Sequence, residues 1–271
     1  MDRVDRMAGV VSRPARLALR PFEDSSKDAG DAALIAARAA ESGYLFFRRL
    51  VDASLVRQLR RDILAFFTAR GWLIHSPTIP MMRGIVTPGA VRDAPDSDLT
   101  ALQVQIQLLP TFRRLRADPS IAQALTAVMG SPPRAGFGDV CRIVPPNMLH
   151  RTTPPHQDHF YTRGSTSQWT VWIPVGACPV SLGGLVVWPG SHRDGLRAHD
   201  QPIEDGHAIV VEPDVVWHGA SFRCGDVLMF NALTVHQARP NVTADQVRLS
   251  VDYRYVGEAA TENEALHGSV R

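Results

Sequence analysis

The stretch Val247-Arg-Leu-Ser-Val-Asp-Tyr-Arg-Tyr255 alternates strictly between apolar and polar side chains. Because successive side chains of a β-strand point to opposite faces, this alternation predicts a strand with one apolar and one polar surface. We expect the apolar face to pack outward against helices and the polar face to line the interior of a barrel. The inward side chains would be those of Arg248, Ser250, Asp252 and Arg254.

An arginine in such an interior carries a chemical requirement. A charge in a partly dry environment needs a counter-charge, and the planar guanidinium of Arg248 suits a bidentate carboxylate. Two interpretations are open from the residues alone. The partner is either the carboxylate of a bound molecule or an internal acid, for which Asp252 and Asp226 are the candidates.

A second pattern, His156-Gln-Asp158, precedes this strand and is followed far downstream by His236. Side chains at i and i+2 share a strand face, so His156 and Asp158 point into one pocket. The strand order of a jelly roll would return His236 to that pocket. Two histidines and one carboxylate with open positions are the ligand set of non-haem Fe(II) oxygenases, although zinc and manganese also occupy such sites. Taken alone, the triplet also fits a capped surface turn without a metal.

The C-terminal half contains many short strand signals. Runs rich in Val, Ile, Trp and Thr alternate with Pro and Gly turns, which is typical of a sandwich or barrel. The pattern predicts a mainly β protein with flanking helices and a jelly-roll core over about 137–256. Strands are expected at residues 140–144, 168–175, 184–188, 208–211, 226–230 and 247–256.

The N-terminal half has mainly helical signals. Residues 72–100 form a loop rich in Pro, Gly and large apolar side chains, which indicates a lid or a substrate wall. We expect one domain over 1–271, with a partly mobile N-terminus over 1–30 and helical support plus the lid loop over about 31–130. Helices are expected at residues 31–41, 53–69 and 119–129, with a short aromatic strand at 44–47.

The overall composition excludes several classes of partner. The chain has 29 basic and 27 acidic side chains, and a formal charge of +2 gives no attraction to nucleic acid or to an anionic membrane. No apolar run approaches the roughly 18 residues of a membrane span. The three cysteines match no zinc motif and no disulfide framework, which indicates a reducing cytoplasm.

Further motifs follow in a fixed order. They are His156-x-Asp158, Gly184-Leu-Val-Val-Trp-Pro-Gly-Ser-His192, Gly225-Asp226-Val-Leu, His236, Pro240-Asn241 and Arg248, with Gly43-Tyr-Leu-Phe-Phe-Arg-Arg-Leu50 near the start. In this order the chain resembles the phytanoyl-CoA dioxygenase (PhyH-like) family of Fe(II)- and 2-oxoglutarate-dependent oxygenases over roughly 40–256. The spacing from His236 to Arg248 is one residue longer than is usual in that family.

The resemblance implies a double-stranded β-helix core, of the jelly-roll or cupin-like kind, and a single oxygenase domain. It implies that His156, Asp158 and His236 hold Fe(II), with 2-oxoglutarate and dioxygen as co-substrates. Arg248 would bind the distal carboxylate of 2-oxoglutarate, and Trp172 would border it.

Two polar residues share the inward face of Trp172. Thr170 and Gln168 could each reach a carboxylate or the substrate, and an ordinary buried hydrogen bond is the expected role of Gln168. His159 should face away from the metal, His150 flanks the motif, and His192 fits a structural turn.

The expected reaction is hydroxylation of a small, partly apolar metabolite, such as an intermediate of secondary metabolism, with release of succinate and CO2. Desaturation, epoxidation or rearrangement would use the same cofactors, and a non-catalytic jelly-roll binding protein is the alternative from another class. Asp158 argues against halogenation, because related halogenases have a small residue at that position. The candidates for binding a charged substrate group are Arg83, Arg163 and Arg254.

Overall fold

The computed structural model describes residues 18–91, 93–147, 152–203 and 206–257. Its helices and strands follow in two groups, with most helices in the first half of the chain and most strands in the second. The helices are α1 (Ala32–Ser42), α2 (Ala53–Ala69), α3 (Asp96–Leu108), α4 (Pro110–Arg116), α5 (Pro119–Met129) and α6 (Asp158–Thr162). The strands are β1 (Ala18–Arg20), β2 (Tyr44–Phe47), β3 (Pro133–Ala135), β4 (Val140–Val144), β5 (Trp169–Pro174), β6 (Leu185–Val187), β7 (Gln201–Ile203), β8 (Gly206–Ala208), β9 (Val216–Gly219), β10 (Val227–Asn231), β11 (His236–Ala238) and β12 (Arg248–Gly257).

Two sheets face each other and form the jelly roll that the sequence predicts. The larger sheet has the strand order β2-β10-β5-β12-β3, with β4 also paired to β12. The smaller sheet has the order β1-β9-β6-β11. A cluster of mainly aromatic and aliphatic side chains fills the space between the sheets, including Phe46, Trp172, Phe222 and Phe230.

Strand β12 confirms the alternation of its sequence. It pairs with β5 and β4 through antiparallel ladders and is the longest strand described. Its apolar side chains, such as Val251 and Tyr253, lie in the core shared with the helices, and the Tyr253 hydroxyl donates to the Phe112 carbonyl at 2.8 Å. Its polar side chains are also buried, on the opposite face. The strand therefore separates an apolar helical layer from a polar interior.

The predicted helices form for the expected local reasons. The Asp52 side chain accepts from the Ser54 N–H at 2.7 Å and caps α2. Helix α1 ends at Gly43, which has φ 73°, and α5 ends at Gly130, which has φ 68°. The apolar face of α2 is buried against the outer surface of the larger sheet through Leu55, Leu59, Ile63 and Phe67.

Part of the loop expected over residues 72–100 packs into the core of the protein. Trp72 and Val86 are buried in the helical core rather than over a cavity mouth. The Val86 N–H donates to the Asp245 carbonyl at 2.8 Å, and the Val247 N–H donates to the Gly84 carbonyl at 3.0 Å. These bonds attach the segment to the chain entering β12, and residues from 96 onward form α3. Part of the segment thus supports β12, and its role as a lid or a substrate wall stays a prediction.

Several strand predictions also shift. The strand expected at 208–211 lies at Gly206–Ala208 instead, and the other expected strands form within one or two residues of their predicted limits. Helices α3, α4 and α6 and the strands β1, β3, β7 and β9 were not expected, and Asp158 begins α6 instead of lying on a strand with His156. The sequence did not predict α3 because three glutamines, at 103, 105 and 107, interrupt its apolar periodicity.

None of the helices described here combines the length and apolar character needed to span a membrane. The cysteines Cys141, Cys178 and Cys224 are all free.

The outward face of β12 can be tested by truncation. Leu249 is 2 % exposed, so Leu249→Ala should lower the free energy of unfolding by about 2–5 kcal/mol, because it leaves a cavity in the helical core. The control Val242→Ala, at a position 60 % exposed, should change it by less than about 0.5 kcal/mol. Urea denaturation measures both, and similar small losses would contradict this placement.

Candidate active site

His156 and His236 lie side by side because their backbones pair directly. The N–H of each residue donates to the carbonyl of the other at 3.0 Å, so they form an isolated antiparallel bridge. The two imidazole rings lie with centroids 4.1 Å apart. Asp158 begins α6 beside them, and its Oδ1 is 3.6 Å from Nε2 of His156 and 3.8 Å from Nε2 of His236. All three side chains are buried, and the structure brings together the three predicted residues.

Hydrogen bonds orient both rings. Nδ1 of His156 lies 2.8 Å from the Pro154 carbonyl, and Nδ1 of His236 lies 3.0 Å from the Thr234 carbonyl. A carbonyl only accepts, so each Nδ1 carries the proton and each Nε2 has a free lone pair toward Asp158. Burial lowers the pKa of His236 to about 3, which keeps that ring neutral. Neutral imidazoles with free Nε2 atoms are suitable metal ligands.

The Asp158 carboxylate has two further partners on the interior face. The Thr170 hydroxyl donates to Oδ2 at 2.5 Å, and Nη2 of Arg254 lies 3.3 Å from both oxygens. Burial raises the pKa of Asp158, but the charge of Arg254 outweighs it and holds that pKa well below its usual value. The expectation that Arg254 binds substrate is thereby corrected, because its guanidinium is committed to Asp158. Thr170, expected near the co-substrate, also contacts this carboxylate.

Gln157, the central residue of the motif, is a positioning element that the sequence did not reveal. Its side chain is fully buried and donates to the carbonyls of Gly195 and Leu233 at 2.8 and 2.6 Å. Its Oε1 accepts from the Arg197 N–H at 2.8 Å, and its backbone N–H donates to Nε2 of His199 at 3.1 Å. The turn that carries His156 and Asp158 is therefore fixed from two distant segments.

Arg248 is buried in the same interior and has no protein carboxylate. It is 3 % exposed, its Nη1 donates to the Gly183 carbonyl at 2.8 Å, and its Nε has no hydrogen-bond partner in the described part of the chain. The two internal acids considered as partners are taken: Asp252 pairs with Arg142 at 3.0 Å and Asp226 with Arg48 at 2.6 Å. Burial lowers the pKa of Arg248.

This arrangement fits a bound carboxylate. A desolvated guanidinium favours an anionic partner, and no described carboxylate pairs with Arg248. The Ser250 hydroxyl, on the same strand face, is likewise buried without a partner. Trp172 lies on the inner face as predicted, 1 % exposed, with its ring 4.7 Å from that of Phe222. That Trp172 borders a co-substrate stays a prediction.

Helix α6 places aromatic side chains beside the metal-ligating candidates. Tyr161 is 45 % exposed, its ring is edge-on to that of His156 at 5.6 Å, and its hydroxyl donates to the His207 carbonyl at 2.5 Å. Phe160 stacks on His199 with the ring centroids 4.0 Å apart. These residues form an apolar wall next to the triad.

The remaining predicted residues have other positions. His159 is not part of the three-residue cluster, as expected, and Nε2 of His192 contacts the Ala40 carbonyl at 3.1 Å. Arg83 lines a separate cavity of about 400 Å³ with Arg57 and Arg60. The Gln168 side-chain amide donates to the Thr162 hydroxyl at 3.5 Å. Arg163 is exposed at the end of α6, and His150 lies outside the described residues.

Comparison with known proteins identifies the family. Residues 39–250 match the family described as phytanoyl-CoA dioxygenase (PhyH). The chain belongs to this family.

Relatives of this PhyH protein include enzymes with assigned reactions. The 1-deoxypentalenic acid 11-beta-hydroxylase of Streptomyces exfoliatus is 29% identical over 228 residues, which cover 79% of this chain and 77% of the relative. The peroxisomal phytanoyl-CoA dioxygenase of Mus musculus is 26% identical and is covered over 62% of its length. Among solved structures, the epimerase SnoN in complex with Fe3+, alpha ketoglutarate and nogalamycin RO is 25% identical, with a TM-score of 0.59 and 85% of each chain covered.

Family membership confirms the expected cofactors and fold. The protein is an Fe(II)- and 2-oxoglutarate-dependent oxygenase with a jelly-roll core. The donor set of His156, Asp158 and His236 and the unpaired guanidinium of Arg248 fit these two groups. A non-catalytic binding protein is not favoured.

The role of Gln157 can be tested in this oxygenase. Gln157→Leu leaves three backbone groups without partners, so we expect metal affinity to fall about 10- to 100-fold, as for other residues that orient metal ligands. Calorimetric titration with Co(II) measures the change, and Gln58→Leu on the exposed face of α2 is the control. An unchanged affinity in Gln157→Leu would show that the turn holds its shape without these bonds.

Proposed function

We propose that this oxygenase hydroxylates a small, partly apolar metabolite and releases succinate and CO2, with His156, Asp158 and His236 as the ligands of Fe(II). The observation that carries the proposal is the buried, unpaired guanidinium of Arg248 inside the barrel that holds the triad. A metal site alone is compatible with many functions. A metal site that shares its interior with an unsatisfied arginine calls for a dicarboxylate co-substrate.

In this proposal the residues of the protein bind and position the metal and the co-substrates. The three side chains would hold Fe(II), a ligand set that in such sites leaves positions open for co-substrates. Bound iron and 2-oxoglutarate supply the oxidising power, whereas the protein supplies position and the exclusion of side reactions. Arg248 grips the distal carboxylate of 2-oxoglutarate, the Ser250 hydroxyl adds a donor on the same face, and Trp172 borders the co-substrate.

The aromatic side chains beside the triad support a partly apolar substrate. Phe160 and Tyr161 offer aromatic surface next to His156, which suits a partly apolar molecule. The Streptomyces exfoliatus relative is a hydroxylase of 1-deoxypentalenic acid, which supports hydroxylation of a biosynthetic intermediate of secondary metabolism. Desaturation, epoxidation and rearrangement would need the same residues and differ in where the substrate lies.

We infer a cytoplasmic location from the three free cysteines, which suit a reducing compartment. The near-balance of basic and acidic side chains supports a small-molecule substrate rather than nucleic acid.

Anaerobic titration with Fe(II) and 2-oxoglutarate tests the site directly through the charge-transfer absorption of the complex. Arg248→Met should keep iron binding but weaken 2-oxoglutarate binding by about 2–5 kcal/mol, because a buried charge pair loses one partner. His156→Ala should lose iron binding. Arg113→Met, at an exposed position on α4, should match the wild type. Absence of the absorption in the wild type, together with no succinate formation in air, would refute the proposal.

The two tryptophans of β5 provide an internal comparison. Trp172 faces the interior and Trp169 faces the helical core, and both are nearly fully buried. Trp172→Phe should raise the dissociation constant of 2-oxoglutarate, whereas Trp169→Phe should lower thermal stability without affecting that constant. Equal dissociation constants in the two variants would exclude Trp172 from the co-substrate site.

A further inference from the structure

The two oxygens of the Asp158 carboxylate have different surroundings. Oδ1 faces Nε2 of His156 and of His236, at 3.6 and 3.8 Å. Oδ2 accepts the Thr170 hydroxyl at 2.5 Å. Nη2 of Arg254 lies 3.3 Å from each oxygen and spans the carboxylate. Oδ1 is therefore directed to the imidazoles and Oδ2 to Thr170, whereas Arg254 lies equally close to both oxygens and fixes the carboxylate as a whole.

The donors that hold the carboxylate are themselves fixed by strand register. Arg254 on β12 lies directly opposite Thr170 on β5, so both side chains point into the interior. Arg254 and Asp158 are 96 residues apart in the chain, and both are buried. The contact is thus built by the sheet rather than by local sequence.

Residues between β3 and β4 hydrogen-bond to both the backbone and the side chain of Arg254. Its backbone N–H donates to Oδ1 of Asp139 at 3.0 Å, and Nη1 donates to the Gly138 carbonyl. The Gly136 N–H donates to the Arg254 carbonyl at 2.7 Å. A Cβ at Gly136 would lie 3.0 Å from the Arg254 carbonyl carbon, so only a glycine fits there without displacement. These contacts restrict the guanidinium to the side of Asp158.

The arrangement matters because of how carboxylates bind metals. A carboxylate that ligates through both oxygens takes one more coordination position than a carboxylate that ligates through one. The facial triad works because positions remain open for the co-substrates. A carboxylate whose second oxygen is occupied by hydrogen bonds offers the metal a single oxygen.

We propose that Arg254, acting with Thr170, is a positioning residue that limits Asp158 to ligation through Oδ1 and so keeps a coordination position open for 2-oxoglutarate. This inference rests on the proposed function of the triad. The Arg254 guanidinium contacts Asp158, so in this proposal it acts through that carboxylate. A purely structural arginine would stabilise the sheet without affecting how the co-substrate binds.

Substitutions of Arg254 and Thr170 separate these roles. Thr170→Val frees Oδ2, and Arg254→Met releases the carboxylate from the group that fixes its orientation, so in each variant 2-oxoglutarate binding to the Fe(II) protein should weaken about 10- to 100-fold and its charge-transfer absorption should shift. The absorption of the Co(II) protein without 2-oxoglutarate should also change, which reports the ligand set independently of activity. Arg254→Lys keeps the charge and one donor and should restore part of the affinity. The double variant should be less impaired than the sum of the single variants, because both act on one carboxylate.

Arg116→Met is the matched control. Arg116 pairs with Asp139 at 2.8 Å and its Nη2 lies 3.3 Å from the Arg254 carbonyl, but it does not contact Asp158. This variant should lower thermal stability and leave both spectra in place.

The results distinguish two kinds of failure. If Arg248→Met loses 2-oxoglutarate while Arg254→Met keeps the wild-type affinity and both spectra, the positioning role is wrong and the proposed function stands. If the wild type binds neither Fe(II) nor Co(II), the proposed function fails first. A shift of equal size in Arg116→Met would assign the effect to general loosening of β12 and would also overturn the inference.

Discussion

The ladder that joins β12 to β5 and β4 is the constraint on which the rest of the structure depends. It fixes which side chains of β12 meet the helices and which meet the barrel interior, because a shift by one residue would exchange the two sets. The same ladder sets Arg254 opposite Thr170. Helical packing and the surroundings of the triad are consequently two results of one register.

Charge pairing in the interior explains why a single arginine is left to a ligand. Arg254 is matched by Asp158, and Asp252 is matched by the partly exposed Arg142. Among the described residues, the Arg248 side chain hydrogen-bonds the Gly183 carbonyl and no carboxylate. Because a buried charge is stable only when it is compensated, this imbalance is the observation on which the proposed carboxylate-binding role of Arg248 rests.

Features that depend on local pattern could be predicted from the sequence. The alternation of β12, the capped helices α1, α2 and α5, and the spacing of the histidines with Asp158 all express a period or a short motif. The partners of Gln157 and Arg254 could not be predicted, since they come from segments that only the folded sheet brings near. The same limit applies to residues 72–91, whose apolar side chains suit either a lid or a core until the bonds to Asp245 and Val247 are known.

Tyr161 connects the triad to the hairpin formed by β7 and β8. Its ring touches His156, and its hydroxyl bonds the His207 backbone in the hairpin formed by β7 and β8. The orientation of a metal-ligand candidate and the docking of a surface hairpin therefore share one side chain. A substitution of Tyr161 therefore removes a contact of the triad and a contact of the hairpin together.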